Sequence, residues 1–338
     1  MTYFVQQTLI FAIPLMIVAL GGVFAERSGI INIALEGIMI FGAFVGVLMI
    51  RILLKLGMGP SVGQLMLIIV VLVTMLLGGV FALLLAYASI NLKADQTIGG
   101  TALNLLAPAI VLFLILIISQ QNVLNLDSKY NQADLFMLTQ ENFGFGTAKE
   151  NPLGVIGNIL FNKVYLTTVY AILLYIGLSI LLYKTKLGLR LRSCGEHPQA
   201  ADSVGIDVYK MRYFGTIISG CLAALGGFIY ALTAAGCSSN GDVAGLGFLA
   251  LAVMIFGNWK PVPIALAALL FGALKCISAG YASIDINGDG VFWLREIGIS
   301  SHVYRILPYL ITLIVLAFTS KKSRAPKAEG QPYDKGKR

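Results

Sequence analysis

The chain has 338 residues, 58% of them hydrophobic and only 12% charged, with a mean hydropathy of +0.86. A soluble globular chain carries about 25% charged residues, so a water-soluble enzyme domain is excluded. The net charge of +8 does not point to nucleic acid, because Lys321, Lys322, Arg324, Lys327, Lys335, Lys337 and Arg338 sit together after the last apolar run. Beside a membrane such a cluster sets topology and meets anionic lipid.

Apolar runs of about 20 residues, each long enough to cross a hydrocarbon core of roughly 30 Å as a helix, recur from Thr8 to Thr319. The expected fold is an all-α polytopic membrane protein with about nine spans, within a range of about eight to ten. The spans fall at about 8–25, 30–50, 64–90, 97–118, 165–183, 210–232, 244–258, 261–281 and 303–319. Met1 to Gln7 holds no Lys or Arg, so no cleaved signal peptide is indicated and the first helix stays. Residues 1–118 then form a first transmembrane repeat, 119–164 an extracellular loop, and 165–209 a linking helix with a cytoplasmic loop. Residues 210–320 form a second repeat and 321–338 a basic tail. Lys184 to Arg212 and the tail are the two basic regions; an even number of spans separates them, so both face the cytoplasm of a multi-pass cell-membrane protein and the N-terminus is external.

Two four-residue matches suggest internal repetition. Ala19–Gly22 recurs as Ala224–Gly227 at an offset of 205, and Met39–Gly42 as Met254–Gly257 at an offset of 215. They pair span one with span six and span two with span seven, five spans apart and so oppositely directed. Such an inverted repeat is a recurrent transporter architecture with the solute path at the repeat interface; chance similarity in an apolar composition is the competing explanation. Span two opens at Ser28 and Gly29, and span seven is short and flanked by glycines, which makes both candidates for broken helices. The many remaining glycines are explained by close helix packing.

Between spans five and six runs a stretch with Gly188, Arg190, Arg192, Gly195, Glu196, His197, Pro198, Ala200, Ala201, Gly205 and Ile206. Pro198 suits a first helical position and Gly205 the residue just past a helix end, predicting a short surface helix. This pattern resembles the coupling-helix loop of importer-type ABC permeases. The group that it resembles most holds the simple-sugar, branched-chain amino acid and nucleoside permeases. Gly22–Gly37 and Val253–Trp259 resemble the nucleoside subgroup in particular. The resemblance implies that Arg190 to Ile206 docks an ATPase subunit, that ATP and Mg bind that partner, and that a substrate-binding lipoprotein and a second permease subunit complete the assembly. It also implies no cofactor on this chain. His197 departs from the Asn usual before the proline and caps a helix less well. The chain has no Gly-rich phosphate loop ending in Gly, Lys and Ser or Thr, so it is not itself an ATPase.

Four polar residues are candidates for the solute path. Asn32 and Glu36 share a face of span two, and a carboxyl group in a membrane costs about 2.5–3.5 kcal/mol, so Glu36 marks either a pathway or an interhelical hydrogen bond. Thr101 and Asn104 give span four a neutral, hydrogen-bonding face suited to a hydroxylated solute. Lys275 is read as snorkelling to the surface. Asp285, Asn287, Asp289 and Glu296 match positions 1, 3, 5 and 12 of an EF-hand loop, a possible Ca site set against a polar turn that needs the same residue types. The four cysteines share no metal or redox spacing. Function is thus read as a nucleoside importer permease, with a sugar or branched-chain amino acid permease and an ion-coupled secondary transporter as alternatives.

Overall fold

The computed structural model describes residues 2–59, 62–126, 129–130, 135–138, 157, 164–280, 300–319 and 324–335. The helices are α1 (Thr2–Ser28), α2 (Leu35–Lys55), α3 (Gly63–Ile90), α4 (Gln96–Ser119), α5 (Leu166–Lys184), α6 (Lys186–Glu196), α7 (Pro198–Ser203), α8 (Val208–Thr233), α9 (Leu246–Phe256), α10 (Pro261–Gly280) and α11 (Ser301–Thr319). A two-stranded antiparallel ribbon, β1 (Met137–Leu138) and β2 (Val164–Tyr165), lies between α4 and α5. Among the described residues seven helices are long and apolar enough to cross a membrane, and α9 is a shorter apolar helix. The all-α polytopic fold is as expected.

Helices α1 and α8 form the centre: 78% of the apolar window of each is buried, against 22% for α4 and α5. Apolar side chains gain little from one another in lipid, so the centre is held by close contact between small residues. Gly42 of α2 lies on the backbone of Ala224, Gly227 of α8 on the backbone of Met39, and Gly22 of α1 on the side chain of Met254 in α9. Under the two offsets Gly22 corresponds to Gly227 and Met39 to Met254, so the contacts Gly22–Met254 and Gly227–Met39 exchange.

Both helices expected to be broken are interrupted. After α1 the chain turns at Gly29 (φ +97°) and does not resume a helix until Leu35. Ahead of α9, residues 234–245 are non-helical, and α9 keeps only 11 residues. Helix α6, which holds Gly188 and Gly195, was not among the expected elements. Each glycine lets the helix press against backbone, Gly188 on the last carbonyls of α5 and Gly195 on the carbonyl of Arg27. The Asp285, Asn287, Asp289 and Glu296 motif lies outside the described residues.

Adding side chain where backbone touches should be costly, since overpacking typically costs about 1–3 kcal/mol. Gly227→Val is expected to lower the melting temperature of the detergent-solubilised protein by several degrees, while Gly177→Val, which points into open space, leaves it unchanged. Thermal unfolding followed by size-exclusion chromatography checks this; equal melting points would refute the packing account.

Candidate functional site: the coupling face and the broken helices

The surface helix begins as its sequence dictates. Pro198 occupies the first turn of α7, and His197 at the N-cap makes no side-chain capping bond. At the other end Gly205 has φ +83°, its N–H donates to the Asp202 carbonyl at 2.9 Å and the Ile206 N–H to the Ala201 carbonyl at 3.0 Å. That is the Schellman closure, which any side chain at Gly205 would strain. Helix α6 precedes it, capped by the Thr185 hydroxyl accepting from the Gly188 N–H at 3.2 Å. Its Leu191 and Cys194 are fully buried, and burial pushes the Cys194 thiol up to about 11, so it stays protonated. Arg192 stacks over the Tyr183 ring at 5.0 Å. Between α6 and the start of α8 opens a cavity of about 760 Å³ walled by Lys186, Leu189, Arg190, Val204, Gly205 and Lys210.

This loop is wired to the transmembrane core through Glu196, one of the expected coupling residues, and through Glu26, Arg27, Tyr183 and Trp259, to which the sequence assigns no role. Glu196 pairs with Arg27 at the end of α1 at 3.0 Å. Next to it Glu26, buried, accepts from the Trp259 indole N–H, and the Tyr183 hydroxyl donates to the Trp259 carbonyl. The α1 end, the coupling helices and the turn after α9 thus share one hydrogen-bonded cluster.

The tail packs on protein as well as carrying charge. Residues 324–335 run across this face: the Arg324 N–H donates to Asn258 Oδ1 (2.9 Å), Ala328 to the Gly195 carbonyl (2.9 Å) and Gly330 to the Gly29 carbonyl (3.2 Å). Arg212, 1% exposed, donates to the Gln331 carbonyl at 2.9 Å and lies over Tyr333. Lys93 pairs with Asp334 at 3.1 Å. The tail therefore straps the loop α3–α4, the α1 end, α6 and α8 together, which charge counting could not show.

The path candidates separate by what their polar groups do. Glu36 Oε1 accepts from the Gly245 N–H at 3.0 Å and Oε2 from the N–H groups of Gly247 (2.6 Å) and Phe248 (3.2 Å). Its carboxylate caps the broken α9, so of the two readings of Glu36 the interhelical hydrogen bond is the one these contacts fit. Asn104 accepts from the Gly37 N–H at 2.8 Å and donates to the Ile33 carbonyl at 2.9 Å, tying α4 to the start of α2. Gln96, not singled out in sequence, accepts from the Ile31 N–H at 2.7 Å for the same interruption. Asn32 is fully buried and donates to Ser219 of α8 at 2.8 Å. Thr101 is exposed, its hydroxyl donating to backbone carbonyls of its own helix. Lys275 does not snorkel: Nζ donates to the Ala244 carbonyl at 2.8 Å, just ahead of α9. No group of His, Cys, Asp or Glu suited to a metal occurs among the described residues.

With this geometry in view, comparison with known proteins is decisive. The family model for the permease component of branched-chain amino acid transport systems matches residues 4–316. The chain belongs to this family of ABC importer permeases. The guanosine ABC transporter permease protein NupQ of Bacillus subtilis is 40% identical over 99% of the chain and 97% of its own length. The nucleoside ABC transporter permease protein NupC of Lactococcus lactis is 39% identical over 98% and 97%. A putative glucose ABC transporter permease of Haloferax volcanii, TsgC13, is 27% identical over 96% and 95%. No solved structure gives a significant match. This permease is a multi-pass cell-membrane subunit of an ABC importer; ATP is hydrolysed in a separate subunit, and the family implies a substrate-binding protein as a further partner.

Two outcomes are expected here. Glu36→Leu strands three N–H groups of the permease in a low-dielectric site, each worth about 1–3 kcal/mol, and should abolish accumulation of folded protein, whereas Glu36→Gln, which keeps a carbonyl acceptor, should retain part of it; equal yields by membrane immunoblot would contradict the capping role. Burial raises the Glu329 carboxyl of the strap to about 7 from an ordinary 4.5, against the opposing pull of Arg27. A raised carboxyl favours the docked strap below the unfolded value and withdraws that support as pH rises through about 7. Protease nicking of the tail in membranes should thus increase from pH 6 to pH 8, and Glu329→Gln should flatten that rise; a pH-independent wild type would refute it.

Proposed function

We propose that this permease moves nucleosides inward, working with an ATPase docked on Arg190 to Ile206, a lipoprotein that delivers the solute, and a second permease subunit. The observation that carries the solute is full-length similarity at about two-fifths identity to permeases named for guanosine and for nucleosides. The sites agree with it. Glu36 and Lys275, which a zwitterionic amino acid would need as paired charges, are both occupied by backbone. Among the exposed residues near the interruptions Thr101 and Asn240 offer polar groups that suit ribose hydroxyls and base edges.

The coupling reading rests on the links from Glu196 to Arg27 and from Gly195 to Ala328 and Arg27, which join the docking loop to α1 and the strap. An inverted repeat belongs to this reading, supported by the exchanged contacts Gly22–Met254 and Gly227–Met39. The interrupted α9 and the segment before it can move against the centre of α1, α2 and α8 as the ATPase closes, a motion of the kind alternating access requires.

In proteoliposomes holding the whole complex, uptake of radiolabelled guanosine should need ATP, survive a protonophore, and be competed by other nucleosides but not by leucine, ribose or glucose. Gly205→Val should reduce uptake at least about tenfold by straining the Schellman turn while leaving the amount of permease in the membrane unchanged. Competition by leucine alone, or collapse on protonophore at constant ATP, would reject the proposal.

A further inference from the structure

The chain between α8 and α9 does something a membrane normally forbids. Its depth can be read from its neighbours on α4. Ser239 pairs with Leu124 beyond the end of α4 (N–H to carbonyl 2.8 and 2.9 Å), Gly241 lies on Leu112, and Gly245 and Gly247 lie at Glu36, whose neighbour Gly37 rests on Leu103 and Asn104. From Ser239 to Gly245 the backbone therefore descends alongside α4 from the end remote from the coupling face to past its middle, without helix. Irregular backbone at such depth is tolerated only when buried in protein or lining a water-filled cavity.

The burial pattern shows which of the two applies. Gly241 and Val243 are buried, while Asn240 and Asp242 between them are exposed. Asn240 Oδ1 accepts from the Asp242 N–H (3.2 Å) and Asp242 Oδ1 from the Ala244 N–H (2.9 Å). Among the described residues nothing engages Asn240 Nδ2 or Asp242 Oδ2. A carboxylate bared to lipid would cost about 2.5–3.5 kcal/mol, so the Asp242 side of this segment meets water.

We propose that Ser239–Gly245 forms one wall of the solute path in the half of the membrane remote from the ATPase, with Asn240 and Asp242 as its polar subsite for a nucleobase edge carrying adjacent N–H donors. This rests on the nucleoside reading above. The free Oδ2 and remaining lone pair of Oδ1 can accept two parallel N–H groups, which guanine presents side by side and uracil does not. The same carboxylate repels phosphate, so nucleotides are refused where nucleosides pass.

The test uses the complete importer in sealed proteoliposomes with the binding protein outside. Asp242→Cys and Asn240→Cys should react with an impermeant maleimide well above the wild-type rate, and guanosine should slow them; Leu269→Cys, on the open face of α10, should not react. Asp242→Asn should lower guanosine uptake about tenfold, the worth of one charge-assisted hydrogen bond, with uridine changed less than about twofold and Asp242→Glu largely restored. Absence of labelling at both positions overturns the path, and equal loss of guanosine and uridine uptake overturns the subsite. Labelling is read without any solute, so cysteine variants that label in an importer whose wild type takes up no nucleoside would indict the solute assignment while the wall stands.

Discussion

A helix that stops inside a bilayer leaves backbone N–H and C=O groups that no solvent can satisfy. Most of what is distinctive in this permease follows from how it meets that constraint at α2 and α9. Glu36 gives both carboxylate oxygens to the first turn of α9, and Asn104 and Gln96 give amide groups to the approach and first turn of α2. The two ends are linked in series, since the residue that caps α9 lies in the first turn of α2, which α4 in turn holds. Neither interruption is held by its own helix, and both depend on a neighbour staying in place.

That dependence makes the interruptions useful to a machine driven from outside the membrane. Helix α9 ends at Phe256, and Trp259 in the turn after it bonds Glu26 beside the Arg27–Glu196 pair, so the half-helix and its turn run from the Glu36 cap to that cluster. A displacement of α6 and α7 has a short, buried, hydrogen-bonded route to the place where the transmembrane backbone is not helical. Neutral side chains alone would not transmit it as well, because dispersion contacts slide whereas a charged group with fixed partners resists separation. The tail strap adds a second tie across the same face, fastened to Gly29, Gly195 and Arg212.

Glycine sets how near these elements can come. Contacts of Gly42 with Ala224 and of Gly227 with Met39 bring α2 and α8 to backbone contact, and the packing that results replaces the hydrophobic driving force that lipid removes. A rigid centre of this kind confines movement to its periphery, where α9, the segment before it and the coupling helices lie.

The sequence alone determined the class of molecule, because 58% hydrophobic residues in runs of about 20 admit no other solvent than lipid. It also located the short surface helix α7, since Pro198 and Gly205 have backbone requirements that are local and hence legible. The two interruptions were legible for the same reason, in Gly29 and in the glycines around α9. What the polar residues do was not. Glu36 and Asn104 each read as possible solute contacts and Lys275 as snorkelling to the surface, and only tertiary structure shows their groups taken by backbone elsewhere in the fold, partners 67 and 209 residues away for Asn104 and Glu36. Asn240 and Asp242 lie in a stretch that reads as an ordinary polar turn; the structure lowers it along α4 to membrane depth. The basic tail reads as charge because its docking rests on backbone groups and on the Tyr333 ring, whose partners come together only when α1, α6 and α8 meet. Local backbone preference and composition are properties of a segment, whereas the satisfaction of a buried polar group is a property of the assembled fold.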